Sequence, residues 1–359
     1  MKVVRLFAAV LAGAAATAAL GGCGGSGPAA PSQPFGTPPP PAPGVHAWAA
    51  GEVGTLLVTA DGGADWRRQQ FFLSERGVDV AFTDAHDGWL ITDAGAMLTT
   101  TDGGAAWKVV GKVGLQMKAI AATDAQHAWV VASSGGAAEP GKPVLLRTSD
   151  GGKTWKRAAG AFGDAQFADV AFADARHGVL VALDRVWVTH DGGRRWQLSR
   201  QQGMSVLTSA CSGDASTFWV AGWGTLDGAP FVLVTRDGGS SWRRLSIDVR
   251  APSAGALQAG QLAVAGARGP AAATRLWLTC PAGVLASTDA GQTWTLRKVA
   301  AGQPVAIAAV DDQHLLATTS GQPVLATSDG GTTWLAWGTA GFLKPQLTAV
   351  AAAAAPAGQ

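Results

Sequence analysis

The sequence predicts an all-β protein: a seven-bladed β-propeller of four-stranded antiparallel blades, closed by pairing N- and C-terminal strands in one blade. Three observations predict it. A short phrase, Ser or Thr, any residue, Asp, a small residue, Gly, two residues, Trp, occurs seven times, at Thr59–Trp66, Thr100–Trp107, Thr148–Trp155, Thr189–Trp196, Thr235–Trp242, Ser287–Trp294 and Thr327–Trp334. Its aspartates, Asp61, Asp102, Asp150, Asp191, Asp237, Asp289 and Asp329, stand 41, 48, 41, 46, 52 and 40 residues apart, a period that fits one blade. Between the phrases lie short apolar segments separated by turn residues. The two ends of the chain also look like halves of one repeat.

One repeat shows the elements in order. Val78–Phe82 alternates apolar with small or polar residues, as an inner strand with one buried face does. Thr83–Gly88 is a turn cluster, Trp89–Thr92 a second strand, Asp93–Gly95 a tight turn and Ala96–Thr100 a third strand. The Asp phrase then turns the chain into a fourth strand over Ala106–Val110. The same order returns at Ala168–Trp196 and is legible at Ala119–Trp155 and Val305–Trp334. Within the phrase, Asp accepts backbone N–H bonds and glycine permits positive φ. Each tryptophan, Trp66, Trp107, Trp155, Trp196, Trp242, Trp294 and Trp334, is expected to bury a ring worth roughly 2–3 kcal/mol. The phrase is therefore read as a structural staple.

The first repeat starts at Val45-His46-Ala47-Trp48, which matches a second strand, so its first strand is missing. Gln346–Ala351 resembles that missing strand and is expected beside Val45–Ala50, removing an open edge. The propeller then spans 45–351, with 352–359 a disordered tail.

Residues 1–22 read as a lipoprotein signal peptide: Lys2 and Arg5, an apolar stretch Leu6–Leu20, then Gly21-Gly22 before Cys23. Leu20–Cys23 resembles the bacterial lipoprotein processing box, which implies acylation of Cys23. Gly24 in the next position implies the outer membrane in a Gram-negative cell. Residues 24–44, rich in Pro and Gly, form a tether reaching roughly 65 Å when extended. The chain is thus expected outside the cytoplasm, lipid-anchored, on the periplasmic face of that membrane. The 27 basic and 25 acidic side chains lose Lys2 and Arg5 with the signal, leaving a formally neutral mature chain. Nothing in that balance suggests nucleic acid. The pairs Arg67-Arg68, Arg194-Arg195 and Arg243-Arg244 read as a solvated rim, with an acidic-partner patch as the alternative. Cys211 aligns with Phe172 and Cys280 with Asp93, towards opposite faces, which favours two separate thiols over a disulfide.

Chemistry finds little support. Asp phrases recur in glycoside hydrolases, above all sialidases, but that mechanism uses a tyrosine nucleophile and the chain contains no tyrosine. Asp79 and Asp169 share one strand position, and Asp84, Asp124, Asp174 and Asp311 share one turn, so these carboxylates belong to the repeat. A buried carboxylate pair outside the repeat, in the central funnel, would point to glycan chemistry. His86, His127, His177 and His314 recur in equivalent turns, too far apart between blades to share a zinc. No calcium loop, phosphate loop or triad pattern occurs. No metal, cofactor or catalytic residue is expected.

The unit Phe-x-Asp-x-x-x-Gly-Trp, then Gly, a strand and Thr-x-Asp-Gly-Gly-x-x-Trp, clearest at Phe82–Trp107, resembles the photosystem II stability and assembly factors of cyanobacteria and plastids. The resemblance covers nearly all of 45–351. It implies a seven-bladed, non-enzymatic Asp-box (BNR) propeller that holds a photosystem reaction-centre subunit and neighbouring assembly factors. The sequence is accordingly read as a membrane-tethered, monomeric scaffold whose partner is a membrane protein or envelope complex. A carbohydrate-binding or glycan-acting propeller is the alternative. The two longest departures from the repeat, Ser133–Pro143 and Arg250–Pro270, are the expected contact surface.

Overall fold

The computed structural model describes residues 45–354 apart from 53, 63–64, 71–73, 135–140, 202, 204, 251–256, 266–273, 300–301, 321–323 and 337–346. The signal peptide, Cys23, the tether and residues 355–359 lie outside the described residues. Among the described residues, twenty-eight strands, β1 to β28 in chain order, form seven four-stranded antiparallel sheets. Blade 1 has the order β28 (Leu347–Ala354), β1 (Val45–Gly51), β2 (Thr55–Thr59) and β3 (Arg67–Gln70). Each of blades 2 to 7 takes four consecutive strands. Their inner strands are β4 (Gly77–Phe82), β8 (Gln116–Ala122), β12 (Phe167–Phe172), β16 (Ser205–Ser212), β20 (Leu262–Ala265) and β24 (Pro304–Ala309). Each inner strand adjoins the next around the axis, and β24 adjoins β28.

Closure occurs as expected, with one extension. β28 pairs antiparallel with β1, from Gly51 opposite Leu347 to Val45 opposite Ala354. The strand therefore runs through Ala352–Ala354, which were expected in the tail. The alanine run contains no glycine or proline before Pro356, so nothing stops the ladder while β1 still offers partners. Gln346 lies outside the described residues.

The core is not central. Seven apolar clusters sit one at each blade interface, because the second and third strands bury both of their faces. In β1, Trp48 and Ala50 face blade 2 while Ala47 and Ala49 face blade 7. Among the described residues, the charged strand side chains that are fully exposed all lie on outer strands. These begin later than the alternation predicts: the fourth strand of blade 2 is β7 (Lys108–Lys112), after Trp107.

Two further sequence expectations change. The segment Arg250–Pro270 is not one insert, since β20 lies inside it and pairs with β21 (Arg275–Cys280). The apolar run Leu262-Ala263-Val264 is the inner strand of blade 6. Cys211 pairs opposite Trp219, the register that Ala171 has opposite Val179, so it aligns with Ala171 rather than Phe172. A slip of one residue reverses the face of a strand residue, and Cys211 packs towards blade 6. Cys280 ends β21 inside the strand. Both thiols are free, touch the same interface cluster from opposite ends, and are pushed up in pKa, chiefly by burial.

Candidate functional site

The seven Asp phrases fold alike. In each, the Ser or Thr hydroxyl donates to the aspartate Oδ1 at 2.7–3.0 Å. That same oxygen accepts the backbone N–H four residues on, at 2.9–3.0 Å. In the six phrases whose second small-residue position lies among the described residues, the hydroxyl also accepts the N–H of the glycine there, at 2.8–3.0 Å. The aspartates are spent on their own hairpins. Hydroxyl and N–H donors hold Asp150 and Asp237 at a pKa of about 2.

Glycine is required where side chains of the preceding blade, among them its second-strand tryptophan, pack over the phrase backbone. Gly152 has φ +80°, and a Cβ there would lie 2.7 Å from a Val110 methyl and 3.4 Å from Trp89. Gly152→Ala is expected to cost about 2 kcal/mol or more, read as a lower melting temperature. At Asp289 the phrase has Ala290, the sole positive-φ non-glycine residue among those described, at φ 58°.

The tryptophans that matter most were not those of the phrase. Trp48, Trp89, Trp129, Trp219 and Trp277, all on second strands, are fully buried. Three of them reach into the phrase of the next blade: Trp48 Nε1 donates to Gly103 O at 2.8 Å, Trp129 to Gly192 O at 3.0 Å, and Trp277 to Gly330 O at 2.9 Å. Phe82 stacks on Trp48 at 3.4 Å and meets Trp107 edge-on at 6.0 Å. Phe172 repeats this between Trp129 and Trp196, at 3.5 and 5.9 Å. The phrase is thus half of an inter-blade clamp. Its own tryptophans are only partly buried, except Trp66 and Trp294.

A second set of ties surrounds the axis. At the inner-strand bulges, Thr348 Oγ1 donates to Gly77 O at 2.5 Å, Lys118 Nζ to Phe167 O at 3.1 Å, and Thr208 Oγ1 to Gly260 O at 2.9 Å. One residue further on, side chains accept N–H groups of the next blade. Asp79 takes Ile120, Asp169 takes Ala210, Ser209 takes Leu262 and Gln261 takes Ile307, at 2.7–3.2 Å. Among the described residues these ties bridge six of the seven blade interfaces. The sequence showed Asp79 and Asp169 as equivalent, but their partners lie in other repeats and left no local signal.

Asp79 and Asp169 lie on the inner strands of blades 2 and 4, near enough for the charge of one to act on the other, but they are not the pair outside the repeat that would point to glycan chemistry. Burial raises Asp79 to about 7, with the charge of Asp169 adding to the rise, and raises Asp169 itself to about 6. Both belong to the repeat, and each carboxylate accepts N–H groups with both oxygens. Their folded pKa values exceed the unfolded value of about 3.9, so their stabilising contribution is present below that value and lost as pH rises towards 7. The depressed phrase aspartates act oppositely and lose their contribution as pH falls below about 4. The melting temperature is expected to rise between about pH 8 and pH 5 and to fall below about pH 4. Ser209, the repeat's own neutral version, defines the test: the double variant Asp79→Ser, Asp169→Ser is expected to flatten the upper slope.

The turn histidines stay within their turns. His127, His177 and His314 approach Asp124, Asp174 and Asp311 through Nδ1 at 2.8–3.1 Å, each pair in its own blade. Among the described residues no three metal-ligating side chains come together. An open recess of about 500 Å³ lies between blades 1 and 2, lined by Glu52, Ser74, Glu75, Arg76, Asp93 and Ala94. Glu75 there bonds Thr92 and Lys112.

Hairpin staples, tryptophan clamps and axial ties define a closed seven-bladed Asp-box propeller whose repeated polar residues serve the ring. The chain belongs to the Photosynthesis system II assembly factor YCF48 family, whose pattern matches residues 64–161 and 162–264. Its structure is similar to YCF48 bound to D1 peptide (17% identity, TM-score 0.56, 75% of this chain and 84% of that one). It is also similar to YCF48 from Cyanidioschyzon merolae (20% identity, TM-score 0.55, 75% and 87%). An ancestral GH74 enzyme matches at 12% identity and TM-score 0.56, over 88% of this chain but 57% of the enzyme. Identities this low establish a shared fold alone. A search of curated proteins returned no match.

Proposed function

We propose that the chain is a non-catalytic scaffold, tethered to a membrane through acylated Cys23, that holds a polypeptide during assembly of an envelope or membrane complex. The observation that carries this reading is family membership on a ring whose repeated carboxylates are occupied in its own hairpins and blade contacts. The relative bound to a D1 peptide supports a polypeptide partner. Propeller specificity resides in face loops.

The contact surface is assigned to the face opposite the Asp phrases. The described ends of the Ser133–Pro143 insert, where β9 (Ala128–Ser133) stops and β10 (Pro143–Thr148) starts, lie on that face; residues 135–140 lie outside the described residues. Leu226, 80% exposed, and Leu183, 38% exposed, occupy equivalent turns of blades 5 and 4 on the same face. The test is crosslinking and pull-down from native membranes with a tag near Ser32. Replacing 134–142 by a minimal turn, or Leu226→Asp, is expected to abolish capture of a discrete membrane protein at unchanged melting temperature. Retained capture rejects the placement. Enrichment with envelope polysaccharide and no protein partner supports the carbohydrate reading instead. The second insert must be shortened only within 251–256, because removing Arg250–Pro270 would delete β20.

A further inference from the structure

Charge is sorted by strand position in this ring. Of the outer strands, β3, β7, β11 (Lys156–Arg157) and β19 (Arg243–Ser246) carry two Lys or Arg each. β15 (Gln197–Gln201) and β23 (Thr295–Arg297) carry one, and β27 (Leu335–Ala336) none. No outer strand contains Asp or Glu. The acids concentrate instead on the face of the Asp phrases, where the phrase aspartates are joined by Asp84, Asp124, Asp174, Asp214 and Asp311 in the turns beside them. The formal neutrality of the mature chain hides a basic rim beside an acidic face.

The rim is densest over blades 3 to 5. Lys156, Arg157, Arg243 and Arg244 on the outer strands, with Arg194 and Arg195 in the phrase hairpin that leads into β15, are all exposed, and none makes an ion pair among the described residues. Arg195 helps hold down the pKa of Asp191, whose carboxylate is already spent on its hairpin. Arg244 lies over the Phe231 ring at 3.9 Å. The arc is convex and lacks the desolvated aromatic centre that marks protein–protein hot spots. Among the described residues its only large exposed apolar side chain is Leu198, at 48%.

We propose that this arc is a docking edge for an anionic phospholipid surface, on which the disc stands edge-on. Unpaired exposed cations gain from such a surface, by about fivefold in affinity for each Lys or Arg that approaches it. The acidic phrase face is repelled, which selects the edge. The surface is distinct from the face assigned to the polypeptide partner and leaves that face free.

The test uses residues 24–359 without the lipid; the ring closes on itself within 45–354. Sedimentation with vesicles of mixed phosphatidylglycerol and phosphatidylcholine is expected at low salt, with none on phosphatidylcholine alone, and added salt should release the protein. The variant R194Q/R195Q/R243Q/R244Q is expected to lose roughly 600-fold in affinity, fivefold for each of four cations, while Lys108→Gln on blade 2 loses little. A fluorophore on Leu198→Cys is expected to sense the bilayer, and one on Leu226→Cys to remain in water. Equal binding by the quadruple variant, equal response of both labels, or binding to both vesicle types overturns the proposal. So does capture of polyglutamate without vesicle binding, which would make the arc a protein surface. Binding to neither also overturns it, and would leave the cations as guards of the outer edges against strand addition.

Discussion

Removing residues 345–359 is expected to unfold the ring. β28 supplies the inner strand of blade 1, pairs with the whole of β1, and buries Leu347, Ala349 and Val350 against blades 7 and 2. Without it, β24 and β4 lose the strand between them, and β1 becomes an open apolar edge. The loss falls on two interface clusters and one ladder together. It is therefore expected to match the whole stability of a typical domain, about 5–15 kcal/mol. The readout is a thermal melt: the truncated chain should show no cooperative transition, or aggregate on purification. Val350→Asp provides a graded version, with the strand present but a charge placed in the closure. A truncated chain that melts like the intact one would show that blade 1 does not need its C-terminal strand.

The second large effect is expected at Trp129. Trp129→Ala removes a ring that is 1% exposed, its stack on Phe172 and its hydrogen bond to Gly192 O. Large-to-small core changes of this kind cost about 3–5 kcal/mol, and the orphaned carbonyl adds to that. Trp196→Ala, in the phrase itself, is expected to cost less, because Trp196 is only partly buried and meets Phe172 edge-on. Combining Trp129→Ala with Phe172→Ala is expected to cost less than the two single losses added, since both delete one stack. Comparing the four melting curves decides whether the second-strand tryptophan or the phrase tryptophan leads the clamp. Equal effects at Trp129 and Trp196 would reject a leading role for Trp129.

Much of the fold was legible because it is repetitive. The Thr-x-Asp-Gly-Gly-x-x-Trp spacing counted the blades, and the alternation Val78–Phe82 located an inner strand to within one residue. Trp89–Thr92 marked a second strand by its continuous apolar run. What failed was where the repeat is degenerate. Leu262–Ala265 is a four-residue strand between long stretches rich in Ala and Gly, and its apolar run is too short to stand out. Cys211 was misplaced by one residue because the repeat ending at Trp242 lacks the Phe that marks the strand end elsewhere; Ser212 occupies that register.

The candidate site divides along the same line. By itself the sequence determined the number of blades, the hairpin role of each phrase aspartate and the pairing of the chain ends, since these depend on neighbours in sequence or on one repeated unit. Only the tertiary structure decided what each blade does to the next. That Trp48 donates to Gly103, that Asp79 accepts from Ile120, and that Gln261 accepts from Ile307 are contacts between repeats. Their donors and acceptors are a full repeat apart and differ from interface to interface. The sorting of cations to the rim and acids to one face is also invisible in a neutral total, because charge acquires position only when the strands are placed around an axis.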